Sequence, residues 1–68
     1  DLPRALDDIA EALRLAPDNP DLLFHAGNVA GVSGEIEAAR GLYSKAIRLA
    51  PNSEAAKAAR AALKANAD

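Results

Sequence analysis

The side chains able to do chemistry are few, and their spacing does little with them. His25 is the only histidine, and Asp21 precedes it by four residues, so the two could offer a pair of metal ligands on one helix face. Two ligands do not close a site, and the sequence has no cysteine or second histidine to complete one. His25 therefore reads as a surface or partly packed histidine, and neither a metal nor any other cofactor is expected. Ser33, Ser44 and Ser53 fall at helix ends or on helix surfaces without a general base at a readable spacing. Gly27, Gly31 and Gly34 form a loose glycine series, but a phosphate-cradling loop needs a strand before it and a helix after it, or a GK[ST] ending. Asp18-Asn19-Pro20-Asp21 lacks the spacing and the glycine of a calcium loop and reads as a helix start. No catalytic site is expected.

The bulk numbers narrow the field further. Sixty-eight residues make one small domain at most, which buries only about 60% of its unfolded surface. Half the residues are hydrophobic, yet the aromatics are only Phe24 and Tyr43, and much of the apolar count is alanine. Such a composition favours helices in close contact over a thick core. The absence of cysteine removes any disulfide framework, and a net charge of −2 gives no case for nucleic acid or an anionic membrane. Lys57, Arg60 and Lys64 make the last segment basic, but without aromatics they form no convincing nucleic-acid surface. No apolar run approaches the roughly 18 residues of a membrane span, and no signal-peptide pattern opens the chain. A soluble chain is expected, in a compartment (cytoplasm or periplasm) that the residues leave open. The start at Asp1 and the lack of methionine suggest a segment cut from something longer.

What organises the chain is a repeat. Offset by 34 residues, 1–17 align with 35–51 without a gap: Ala5 meets Ala39, Ala12 meets Ala46, and Arg14-Leu15-Ala16-Pro17 meets Arg48-Leu49-Ala50-Pro51. Leu2/Ile36, Ile9/Tyr43 and Leu13/Ile47 keep their character. A fixed period of this size is the mark of stacked helical units. Apolar residues at helical spacing predict helices over 2–16 and 35–50, each stopped by a proline. Asn19 followed by Pro20 opens a helix over 20–33, Gly34 supplies a left-handed residue to end it, and Ser53 caps a fourth helix over 53–66. Nothing reads as a strand, so the fold class is all-α.

From Pro20 onward the residues resemble a tetratricopeptide repeat, whose pattern is Trp-x2-Leu-Gly-x2-Tyr, then Ala-x3-Phe, then Pro. Leu23, Ala26, Gly27 and Ala30 occupy the first group of positions; Ala39, Tyr43, Ala46 and Pro51 occupy the rest. Leu23 and Ala30 replace the large aromatics of the first helix, so that helix should pack thinly. The resemblance implies antiparallel helical hairpins stacked as a right-handed superhelix. On it, 1–17 is the second helix of a truncated repeat, 18–51 a full repeat and 52–68 a C-terminal capping helix. It also implies that Gly27 lets its helix approach Ala39, with Gly31 either extending that seam or loosening the helix end.

Two surfaces follow. Lys57, Arg60 and Lys64 stand where the family has Trp, Leu and Tyr, which suits the polar outer face of a terminal helix. Conversely, Ala5, Ile9 and Ala12 on the first helix keep residues that in the family pack on a preceding helix, so an apolar strip is expected there. Covered by upstream repeats or by a second copy, that strip makes self-association the alternative reading. Residues 1–34 carry six acids and two bases, 35–68 four acids and six bases, which could favour head-to-tail contact or simply reflect solvated faces and helix-dipole bias.

By the resemblance, the concave face is lined by the first helix of each repeat: Asp21, Phe24, Asn28, Gly31 and Val32, with Ala55, Ala58 and Ala62 from the last helix. Asn28 matches the asparagine that many members use to hold a peptide backbone. The basic residues with which some members grip acidic tails are replaced here by Asp21, Phe24 and Val32. The expected role is a protein–protein interaction module that binds an uncharged or apolar peptide or helix, unless Phe24 and Val32 are merely partly buried core.

Overall fold

A computed structural model describes residues 2–66 and the side chains of all of these except 2, 3, 5, 6 and 66. The chain is all-helical over this range: α1 (Leu2–Leu15), α2 (Pro20–Val32), α3 (Ile36–Leu49) and α4 (Glu54–Asn66), with no strand among the described residues. Each helix lies within one residue, at each end, of the span its sequence signals predict.

Those signals act as local chemistry. Asn19 sits in extended backbone (φ −91°, ψ 110°), and its side-chain oxygen accepts the Leu22 N–H at 3.2 Å, while Pro20 takes the first helical position, where no N–H is needed. At the other end of α2, Gly34 adopts φ +87°. The Gly34 N–H donates to Gly31 O at 3.1 Å and the Glu35 N–H to Ala30 O at 2.9 Å. This pair of bonds is the Schellman closure, which satisfies two carbonyls that the helix end would otherwise strand. The two proline turns repeat each other bond for bond. Ala16 N–H donates to Ala12 O and Ala50 N–H to Ala46 O; Asn19 N–H donates to Ala16 O and Ser53 N–H to Ala50 O. Ser53 then caps α4, its hydroxyl oxygen accepting the Ala56 N–H at 3.0 Å.

The buried apolar residues are Leu23, Ala26 and Ala30 of α2, Ala39, Tyr43 and Ala46 of α3, and Ala55, Ala56 and Ala59 of α4. Small side chains at these positions let the helix backbones come close, and Tyr43 supplies the bulk in the middle. Its cluster with Ala30, Ala39 and Ala59 is flanked by half-buried Phe24, Leu42, Ile47, Ala62 and Leu63. No described side chain of α1 belongs to that cluster. In keeping with this, α2 packs on all three other helices and α4 on both α2 and α3, whereas among the described residues α1 packs on α2 alone. The radius of gyration is 11.0 Å, close to the ~11 Å of a compact chain of this length. The molecule is a slab of 29 × 28 × 15 Å, its short dimension just wide enough for two helix layers at about 8–10 Å.

The atoms nearest to Gly27 in the facing helix are those of the Tyr43 ring: a Cβ at position 27 would lie 2.5 Å from Tyr43 Cε1 and 2.7 Å from Cδ1. The aromatic ring, one helical turn beyond Ala39, lies across the glycine and occupies the space. Gly31 extends no seam, since a Cβ there would meet nothing within 4 Å. Among the described residues no helix is long and apolar enough to cross a membrane.

Candidate functional site

The C-terminal ends of α2 and α4 and the N-terminal half of α3 meet around an open groove of about 420 Å³. Asn28, Gly31 and Val32 come from α2, Ile36 and Tyr43 from α3, and Ala62 and Ala65 from α4. Two successive reversals of chain direction bring these ends together. Among the described residues the lining is apolar apart from Asn28 and the Tyr43 hydroxyl, and no charged side chain contributes to it. Val32 is 78% exposed and Ile36 41%, which is unusual for large aliphatic side chains beside a packed core.

Tyr43 is the structural centre of this groove. The residue is only 3% exposed, its ring held by the gap at Gly27 and by Phe24, whose ring centroid lies 5.8 Å away at an interplanar angle of 41°. The Tyr43 hydroxyl donates to Asn28 Oδ1 at 2.6 Å. Burial raises the Tyr43 pKa above its ordinary value, so the phenol stays protonated and keeps donating at neutral pH. Asn28 itself is exposed, and its Nδ2 has no protein partner among the described residues.

Of the residues assigned to a concave face, Asn28, Gly31, Val32 and Ala62 come together in the groove. Phe24 is half-buried and packs on Tyr43, so it is core support for the groove and not part of its lining. Asp21 is exposed in the first turn of α2, where its charge complements the helix N-terminus. Ala55 is 4% exposed and turned into the helix packing, out of a partner's reach, and Ala58 is half-buried outside the lining. Ile36, Tyr43 and Ala65 were not anticipated. Ala65 could have been found by continuing the stripe of Ala58 and Ala62 by three residues. Ile36 and Tyr43 lie on α3, and the Tyr43 ring finds room against Gly27.

On α1, Ile9 and Ala12 are half-buried and Leu15 is 71% exposed. The side chain of Ala5, the third member of the expected strip, lies outside the described residues. Asp21 and His25 are both exposed, and no group of three or more metal-ligating side chains forms among the described residues. The basic residues of α4 are partly engaged within the helix and its turn: Lys57 Nζ lies 3.5 Å from Glu54, and Arg60 donates to Pro51 O at 2.7 Å. Comparison with protein-family models, curated proteins and solved structures finds no match.

Proposed function

We propose that the chain is a protein-interaction module of the tetratricopeptide type, with no catalytic role of its own, that holds an uncharged, largely apolar peptide or helix between α2, α3 and α4. The observation that carries this reading is the groove itself: exposed Val32 and Ile36 beside the Asn28 amide, with no charge in the lining among the described residues. Apolar surface with one or two placed polar groups is how proteins bind segments of other chains. The repeat of 34 residues, the matching proline turns and the packing of α4 on both helices of the preceding hairpin support the family reading. Selection of peptides from a display library tests it, with Val32→Asp and Asn28→Ala as counter-screens. Val32 is exposed, so its replacement should leave stability within about 0.5 kcal/mol. Peptides enriched by the wild type and lost with both variants are the expected result. Enrichment of none, or of peptides indifferent to both changes, would sink the reading.

A second reading, assembly with copies or further repeats through α1, draws on the packing of α1 against α2 alone among the described residues and on exposed Leu15 beside half-exposed Ile9 and Ala12. It predicts a sedimentation coefficient that rises with concentration and stays flat in Ile9→Glu.

A further inference from the structure

The 34-residue register lets each end of the chain be compared with the intact hairpin between them. On α3, which packs on both α2 and α4, Tyr43 and Ala46 are buried and Leu49 is 42% exposed. Their register equivalents on α1 are Ile9, Ala12 and Leu15. With α2 as the one neighbour among the described residues, Ile9 and Ala12 are half-buried and Leu15 is 71% exposed. At the other end, Leu23, Ala26 and Ala30 of α2 are buried, while their equivalents on α4, Lys57, Arg60 and Lys64, are exposed. Ala61, also exposed, stands in register with Gly27, where α2 receives the Tyr43 ring. Among the described residues, α1 is therefore short of a neighbour like α2, and α4 of a neighbour like α3.

Charge decides which surface completes α1. Asp8 lies four residues before Ala12 and seven before Leu15, on the edge of the apolar strip. Asp7, Asp8 and Glu11 are all exposed; of the two bases on α1, Arg4 and Arg14, the second is engaged by Glu11. Two copies meeting strip to strip, antiparallel about Ile9, would set Arg4 opposite Arg14 and Asp7 opposite Glu11. A parallel pair would set every charge beside its own copy. The outer face of α4 has the opposite sign, with Lys57, Arg60 and Lys64 in one stripe and Glu54 the one acid of the helix. Lysine and arginine stems cover apolar surface while their charged heads stay at its edge.

We propose that the chain assembles head to tail: the α4 face of one copy covers the α1 strip of the next, Ile9 resting on Ala61 and the cations reaching Asp7 and Asp8. Where the intact hairpin sets a phenol ring on a glycine, this contact sets a smaller side chain on a slightly larger one. The two surfaces differ, so the contact is heterologous and open-ended, each added copy presenting another α4. This inference rests on the reading of assembly through α1 and names the surface that completes it.

Sedimentation velocity of the whole chain tests it with two variants. Ile9→Glu spoils the strip and keeps the α4 face; Lys57→Glu/Lys64→Glu reverses the α4 face at exposed positions and keeps the strip. The wild type should grow past a dimer as concentration rises, and its association should weaken roughly fivefold or more at high salt. Each variant alone should stay monomeric. An equimolar mixture should form a 1:1 complex and stop there, since each variant retains one working surface. Asp8→Lys, at another exposed position, should bind Lys57→Glu/Lys64→Glu more tightly than it binds the wild type, a readout independent of how Ile9→Glu folds. The head-to-tail contact is overturned by a Lys57→Glu/Lys64→Glu chain that still self-associates, or by a wild type that stops at the dimer. A mixture without complex, from variants that keep the wild-type circular dichroism, overturns it too. A wild type that stays monomeric at every concentration overturns the assembly reading itself, a separate result.

Discussion

Tyr43 and Gly27 form a pair in which each residue explains the other. Glycine in the interior of a helix costs about 1 kcal/mol against alanine, and here that cost is offset by the ring that fills the missing Cβ's place. Gly27→Ala should therefore destabilise the chain by about 1–2 kcal/mol, because the gain in helix propensity is outweighed by displacement of a packed ring. Gly41 supplies the contrast: it lies on the exposed side of α3 with nothing within 4 Å of an added Cβ. Gly41→Ala should stabilise by roughly 0.5–1 kcal/mol, and urea melts of the two variants should move in opposite directions. Tyr43 also predicts a pH dependence. Burial raises its folded-state pKa above the unfolded value of about 10. Its contribution is then fully present below about pH 10 and is lost as the pH rises through the folded-state value. Alkaline melts should show an extra loss of stability in the wild type that Tyr43→Phe lacks.

At the scale of elements, the helix ends are unequal in how they are held. α2 has a side-chain cap at Asn19 and a Schellman closure around Gly34, and α4 has Ser53. α3 starts at Glu35 with no side-chain cap, its first turn helped by the same closure that ends α2. Asn19→Ala should cost about 1 kcal/mol in thermal or urea unfolding, with Asn19→Gly costing only a few tenths, because glycine keeps the extended conformation available. Equal losses in the two variants would show that the Asn19 oxygen contributes nothing. The exposed pairs Arg14–Glu11, Arg40–Glu37 and Lys57–Glu54 are i,i+3 contacts on helix surfaces and contribute little by comparison. The helices persist through tertiary packing and caps, with ion pairs secondary.

For the whole molecule, stability is concentrated in α2, α3 and α4. Among the described residues, their shared cluster around Tyr43 contains no α1 side chain, and α1 rests on α2 alone. Local opening free energy follows buried contact, so amides of α1 should exchange measurably faster than those of α3 in native-state hydrogen exchange. Uniform protection across the four helices would instead show a single cooperative unit including α1.

The sequence by itself determined the number of helices, their ends to within a residue, and the 34-residue register. Proline stops, the Asn19 and Ser53 caps and the left-handed Gly34 all act within a few residues of themselves, so no distant part of the chain is needed to read them. Part of the groove was implied by the family resemblance: Asn28, Gly31, Val32 and Ala62, which it sets on a concave face, are among the residues that line it. Only the tertiary structure decided that Gly27 faces Tyr43, that Phe24 supports the groove from within the core, and that Ala55 is closed off. It alone brought the Tyr43 hydroxyl to Asn28, 15 residues back in the chain. These outcomes depend on how closely α2 and α3 approach and how they are rotated about their axes. A shift of an ångström there would move the ring off the glycine and the hydroxyl off the amide, and nothing local to either helix fixes that distance.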